Sequence, residues 1–177
     1  INDAGAPSAN IFDSTQVSCF GGSDGSATVS VIGGVTPYTY LWNDPLAQTD
    51  SAATGLPANS YSVTVIDSNG CITGAITTIS EPLALTISTS FVEILCFGDC
   101  NGSANVSVTG GVSPYSYLWD DPGMQTDSIA ISLCDGNYQV IITDSNGCQD
   151  TGLILLTEPP DLLINFISLD NVTCNGA

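Results

Sequence analysis

One stretch occurs twice, and that constrains the fold more than anything else in the chain. Gly33-Gly34-Val35-Thr36-Pro37-Tyr38-Thr39-Tyr40-Leu41-Trp42 returns 77 positions later as Gly110-Gly111-Val112-Ser113-Pro114-Tyr115-Ser116-Tyr117-Leu118-Trp119. A glycine- and proline-rich turn feeds a strictly alternating strand. Tyr38, Tyr40 and Trp42 fall on one face, Thr39 and Leu41 on the other. Setting Cys19 on Cys96 aligns positions 19–82 with 96–159 without a gap, and 34 of the 64 pairs are identical. Cys174-Asn175-Gly176 then begins as a third copy. A period near 77 is too long for a solenoid coil and fits a string of small domains. The expected units are residues 1–82 (a first repeat with an N-terminal extension), 83–159 (a second) and 160–177 (the start of a third).

Within each unit strand signals are dense and helix signals absent. Ala27-Thr28-Val29-Ser30-Val31 and Ala104-Asn105-Val106-Ser107-Val108 alternate with period two. Leu83-Ala84-Leu85-Thr86-Ile87 and Phe91-Val92-Glu93-Ile94-Leu95 read as the opening of unit two. After the aromatic strand, Asp44-Pro45 and Asp121-Pro122 break the ladder. Residues 48–51 and 125–128 are expected as a short polar edge strand. Tyr61-Ser62-Val63-Thr64-Val65 and Tyr138-Gln139-Val140-Ile141-Ile142 run into identical Asp-Ser-Asn-Gly turns at Asp67 and Asp144. A last strand runs from Cys71 to Ile79. About seven short strands per unit predict an all-β fold of tandem immunoglobulin-like sandwiches, joined at Glu81-Pro82 and Glu158-Pro159. The N-terminal piece is a poor copy of the opening of unit two, so its role is open. Tyr38, Tyr40, Trp42, Tyr115, Tyr117 and Trp119 are expected to fill the two cores.

Charge removes whole classes of function. The chain has 18 carboxylates and no Lys, Arg or His, a net charge of −18. Nothing in it can neutralise phosphate, so nucleic acid is not an expected partner. No Ser-His, Cys-His or Lys nucleophile can be assembled, and an enzyme is not expected. No stretch of about 20 apolar residues exists, so direct membrane insertion is not expected either. Ile1-Asn2-Asp3-Ala4-Gly5 lacks the charged start and apolar core of a signal peptide, which suggests a piece of something longer. No cofactor is expected. Asp67-Ser68-Asn69-Gly70 resembles part of a calcium loop but lacks the distal ligands, and a hairpin turn explains it more simply.

Seven cysteines carry the remaining chemistry. Cys19 and Cys71 hold the same places in unit one as Cys96 and Cys148 in unit two. Cys100 and Cys134 are found only in unit two, where unit one has Ser23 and Pro57. Unit two alone allows three connectivities. The joint gain of Cys100 and Cys134 favours Cys100–Cys134, leaving Cys96–Cys148 and, by equivalence, Cys19–Cys71. Cys174 would then pair beyond the chain. Zinc is the weaker alternative, since a lone CxxxC without His makes a poor tetrahedral site. Disulfides imply an oxidising, extracellular setting, and a small core gains from such a staple.

Taken together, residues 19–27, Gly33-Gly34 with the Pro37–Trp42 strand, and Tyr61 through Cys71 resemble the SprB repeat. Unit two matches through Cys96, Gly102-Ser103-Ala104, Pro114 to Trp119 and Tyr138 to Cys148. The resemblance implies a long multi-repeat surface protein of Bacteroidota, with a part in adhesion, gliding or extracellular filaments, and it brings no catalytic residues. Its expected partners are neighbouring repeats of the same chain or filament, and surface polysaccharide. Asp50-Ser51-Ala52, Asp127-Ser128-Ile129 and Asp13-Ser14-Thr15 resemble the Asp-Ser/Thr-apolar tripeptide that Bacteroidota O-glycosylate, so Ser51, Ser128 and Ser14 are candidate glycan sites. A glycan-binding module of a secreted protein is the alternative, with Trp42 and Trp119 as stacking platforms. A third reading is a filament subunit in which a terminal strand completes a neighbour's sheet.

Overall fold

The computed structural model describes residues 5–164, all of it strand, turn and loop. Six strands build the first sandwich: β1 (Ser8–Thr15), β2 (Gly25–Ile32), β3 (Thr39–Trp42), β4 (Ala52–Leu56), β5 (Asn59–Ile66) and β6 (Ile72–Ile79). Six more build the second: β7 (Thr86–Val92), β8 (Gly102–Thr109), β9 (Ser116–Trp119), β10 (Ile129–Leu133), β11 (Gly136–Thr143) and β12 (Gln149–Leu156). Each sandwich packs two three-stranded antiparallel sheets. The orders are β1-β2-β4 against β3-β5-β6, repeated as β7-β8-β10 against β9-β11-β12. This is the immunoglobulin arrangement of strands A-B-E facing C-F-G, without a strand D.

Alternation makes the core. Ala27 and Val29 of β2, with Val63 and Val65 of β5, are buried, while Thr64 faces solvent. Trp42 and Trp119, at the ends of β3 and β9, are 1% and 0% exposed and centre their clusters. Tyr38, Tyr40, Tyr115 and Tyr117 pack half-buried against those clusters. Leu41 and Leu118 turn outward. At the start of the F-equivalent strands, the Tyr61 hydroxyl donates to the Pro57 carbonyl at 2.9 Å and the Tyr138 hydroxyl to that of Cys134 at 3.2 Å. This is the tyrosine corner of immunoglobulin-like sandwiches.

Three strand expectations need correction. The N-terminal piece is a full first strand: β1 pairs with β2 as β7 pairs with β8. Its likeness to β7 is hidden by a one-residue bulge between Ile11 and Asp13, which pushes out Phe12. In unit two the opening strand is shorter than expected, Thr86–Val92, with 83–85 and 93–95 outside it. The edge strand lies at Ala52–Leu56 and Ile129–Leu133, not at 48–51 and 125–128. The reason is Gln48, which bonds as a strand would but with its side chain. Its Nε2 donates to the Thr54 carbonyl at 2.9 Å, and its Oε1 accepts from the Thr54 N–H at 3.0 Å. Gln125 does the same with Ile131. Six strands, not seven, complete each unit, because residues 43–51 form this pinned loop where a D strand would run.

Candidate functional site: the junction between repeats

Four buried aspartates shape the loops around the sandwiches: Asp44, Asp67, Asp121 and Asp144. Asp67 accepts from the backbone N–H groups of Val35 (3.0 Å), Asn69 (2.9 Å) and Cys71 (2.8 Å). Asp144 repeats this with Val112, Asn146 and Cys148, all at 2.9 Å. The carboxylate thus ties the Asp-Ser-Asn-Gly turn to the turn that starts the aromatic strand. Gly34 has φ +68, and a Cβ there would meet Asp67 Oδ2 at 3.0 Å, so glycine is what lets the carboxylate in. The N–H groups of Cys71 and then Val35 hold the Asp67 carboxyl below the usual carboxylate range. For Asp144 burial opposes ionisation, but donors from Val112, Cys148 and Asn146 outweigh it and the pKa is again lowered.

Asp44 and Asp121 organise the other loop. Burial works against Asp44, yet its bonds from Gln48 and Leu46 lower its pKa. Asp121 is lowered the same way, against burial, by Gln125 and Gly123. The residues that resembled a calcium loop therefore spend their carboxylate oxygens on backbone donors.

These loops sit at opposite poles of each sandwich. The β5–β6 turn, with Cys71 after it, lies at one pole. The other carries the cysteine loop: the Val17 N–H donates to the Ser80 carbonyl at 3.0 Å, just beyond the end of β6. Glu81 Oε2 accepts from the Gly21 N–H at 2.5 Å, locking that loop to the linker. Glu158 does the same for Gly98 at 2.7 Å.

The junction joins unlike poles. The cysteine loop of repeat one meets the β11–β12 turn of repeat two, and a disulfide joins Cys19 to Cys148 across 129 residues, with a Cα–Cα distance of 5.7 Å. Asn146 Nδ2 donates to the Ser18 carbonyl at 2.8 Å beside it. A cleft of about 260 Å³ lies here, lined by Cys19, Phe20, Leu83, Leu85, Gly111 and Cys148 among others.

This overturns the expected pairing of Cys19 with Cys71 and of Cys96 with Cys148. Cys71 and Cys96 are exposed free thiols. The reason is strand length. Within one repeat the two cysteines flank the whole of an eight-residue strand, β6 or β12. At about 3.4 Å per residue this separates them by more than about 20 Å, whereas a disulfide needs Cα atoms within about 7 Å. The Cys100–Cys134 bond is present and clips β8 to β10. Cys174 lies outside the described residues.

Of the candidate glycan sites, Ser51 is exposed, while Ser128 and Ser14 are half-buried. Ser51 precedes edge strand β4, and its carbonyl accepts from the Val29 N–H at 2.9 Å. The Trp42 and Trp119 indoles donate to the carbonyls of Asp50 and Asp127, at 3.0 and 2.9 Å. The core tryptophans therefore fix the tripeptides that carry Ser51 and Ser128. Sequence reasoning missed both the junction bond and the tyrosine corner. A signal for the first was present, since the strand expected from Cys71 to Ile79 already separates Cys71 from the linker that holds the cysteine loop.

The SprB repeat model matches the chain at residues 11–47 and 88–124, two segments 77 residues apart that each include the aromatic strand. No curated protein matches the chain. Among solved structures, the N-terminal eight Ig domains of Down Syndrome Cell Adhesion Molecule isoform 1.30.30 are 12% identical over 86% of this chain and 27% of that one, with a TM-score of 0.47. DIP-gamma IG1+IG2 is 10% identical over 89% and 96% of the two chains, with a TM-score of 0.38. The amphioxus IgVJ-C2 molecule is 12% identical over 85% and 99%, at 0.36. The chain spans less than half the length of the first Ig-domain chains it matches.

Proposed function

The chain carries two SprB repeats, and from that premise we propose that it is a non-catalytic structural segment of a long extracellular bacterial adhesin or filament, O-glycosylated at Ser51 and Ser128. The observation that carries this reading is the Cys19–Cys148 bond, which fastens one repeat to the next. A binding module on a flexible tether gains nothing from such a bond. A chain that must hold its reach and bear force gains rigidity between its domains. Charge agrees with this use: 18 carboxylates and no cations keep the surface solvated and free of attraction to anionic lipid. The glycan-binding alternative loses its platform, because both tryptophans are buried.

The test is surface labelling of intact producing cells with antibody raised against this chain, viewed by electron microscopy. The reading expects label on the cell surface or along extracellular filaments. Label found only inside permeabilised cells would refute it. Intact mass of the native material tests the glycan: added mass lost on Ser51→Ala and Ser128→Ala supports it, and a bare-chain mass contradicts it.

A further inference from the structure

The head-to-tail joint between repeats leaves one half of itself open at each end of the pair. Cys96 is the counterpart of Cys19, and Cys71 that of Cys148, each 77 positions apart. The structure bonds Cys19 to Cys148 and leaves Cys71 and Cys96 exposed and free. We propose that these two thiols are the open halves of the same joint. Cys96 pairs with the post-hairpin cysteine of a following SprB repeat, and Cys71 with the cysteine-loop thiol of a preceding one, so that disulfides brace successive repeats in series.

Both halves are preformed. The Cys96 loop repeats three of the bonds that shape the Cys19 loop. The Asp99 N–H donates to the Cys96 carbonyl as Gly22 does to that of Cys19. The Leu95 N–H donates to Asn101 Oδ1 as Ser18 does to Asp24 Oδ1. Glu158 holds Gly98 as Glu81 holds Gly21. At the other pole, Asp67 folds the Cys71 turn with the same three donors that Asp144 uses beside Cys148. Asn69 stands where Asn146 reaches the Ser18 carbonyl. That contact needs only a backbone oxygen, so Leu95 can serve in place of Ser18. Leu95 at the open cysteine-loop pole is 75% exposed, whereas its counterpart Ser18 is half-buried in the formed joint. The joint uses unlike faces, so it does not close on itself and propagates as an open array.

Bond formation balances with a disulfide oxidant. Two thiols lose two protons and two electrons to the oxidant's disulfide, which leaves as two thiols. The proposal deepens the structural reading above and has its own test. The chain carrying Cys174→Ser is oxidised with oxidised glutathione at about 1 mM protein, matching the effective concentration a short linker supplies. Proteolytic cleavage after Asp and Glu, which spares the Glu81-Pro82 bond, then places Cys71 in fragment 68–93 and Cys96 in fragment 94–99. The expected result is a non-reducing ladder of multimers in which these two fragments are bonded. Cys71→Ser or Cys96→Ser should each leave monomers capped by glutathione. A chain that stays monomeric, or that links Cys71 to Cys71 or Cys96 to Cys96, overturns the proposal. Surface labelling is unaffected by that outcome, so the two failures are distinguishable.

Discussion

Repeat two carries a staple that repeat one lacks, so the molecule contains its own control. The Cys100–Cys134 bond closes a loop of 34 residues, while repeat one has Ser23 and Pro57 at those places. Loop-closure entropy for this length is worth about 4 kcal/mol in the chain-entropy model. At 1.4 kcal/mol per factor of ten, that is about a thousandfold in the opening equilibrium. The double variant Cys100→Ser/Cys134→Ser leaves no stray thiol at either site. Hydrogen exchange read by mass spectrometry resolves the repeats separately, because the slowest amides report opening of the core strands. Those of β8, β10 and β11 should exchange about a thousandfold faster, while those of β2, β4 and β5 keep their protection. Equal acceleration in both repeats would refute the reasoning, as would a change in repeat two of less than about tenfold.

Further predictions follow from the core and the buried carboxylates. Trp119→Ala should destabilise repeat two by about 3–5 kcal/mol in denaturant titration, whereas Leu118→Ala on the outward face should cost within about 0.5 kcal/mol. Asp44, Asp67, Asp121 and Asp144 are all more acidic in the fold than in the unfolded chain. Their contribution is therefore present above the unfolded value of about 4 and lost as pH falls through their lowered folded values. Melting temperature should hold between about pH 5 and 8 and drop below about pH 4. Asp67→Asn/Asp144→Asn should lower the plateau and flatten that acid limb. Tyr61, raised first by burial and then by the Asp44 charge, acts at the other end. Its contribution is intact below about pH 10 and lost as pH rises through its raised folded value.

Much of the architecture was readable because local chemistry and global fold agree. The tyrosine–tyrosine–tryptophan alternation, the Asp-Ser-Asn-Gly turns and the period of 77 each point to one pleated, half-buried strand pattern. What escaped had specific physical causes. A single extra residue at Phe12 breaks the sequence likeness of β1 to β7, although their pairing is the same. Gln48 imitates a strand through its side chain and so draws the expected strand four residues early. The cysteines misled because repetition fixes which positions are equivalent but not whether a bond stays inside a repeat. Cys19–Cys71 and Cys19–Cys148 both respect the period, and only the length of β6 decides between them.

The central claim is that repeats are joined across their boundary, and one peptide map addresses it. Cleavage of the oxidised, unreduced chain at Asp and Glu puts each of the seven cysteines in its own fragment, which trypsin cannot do on a chain without Lys or Arg. The account predicts that fragment 14–24, with Cys19, runs bonded to fragment 145–150, with Cys148. Fragment 14–24 bonded to 68–93, with 94–99 bonded to 145–150, would place every staple inside its own repeat and contradict it.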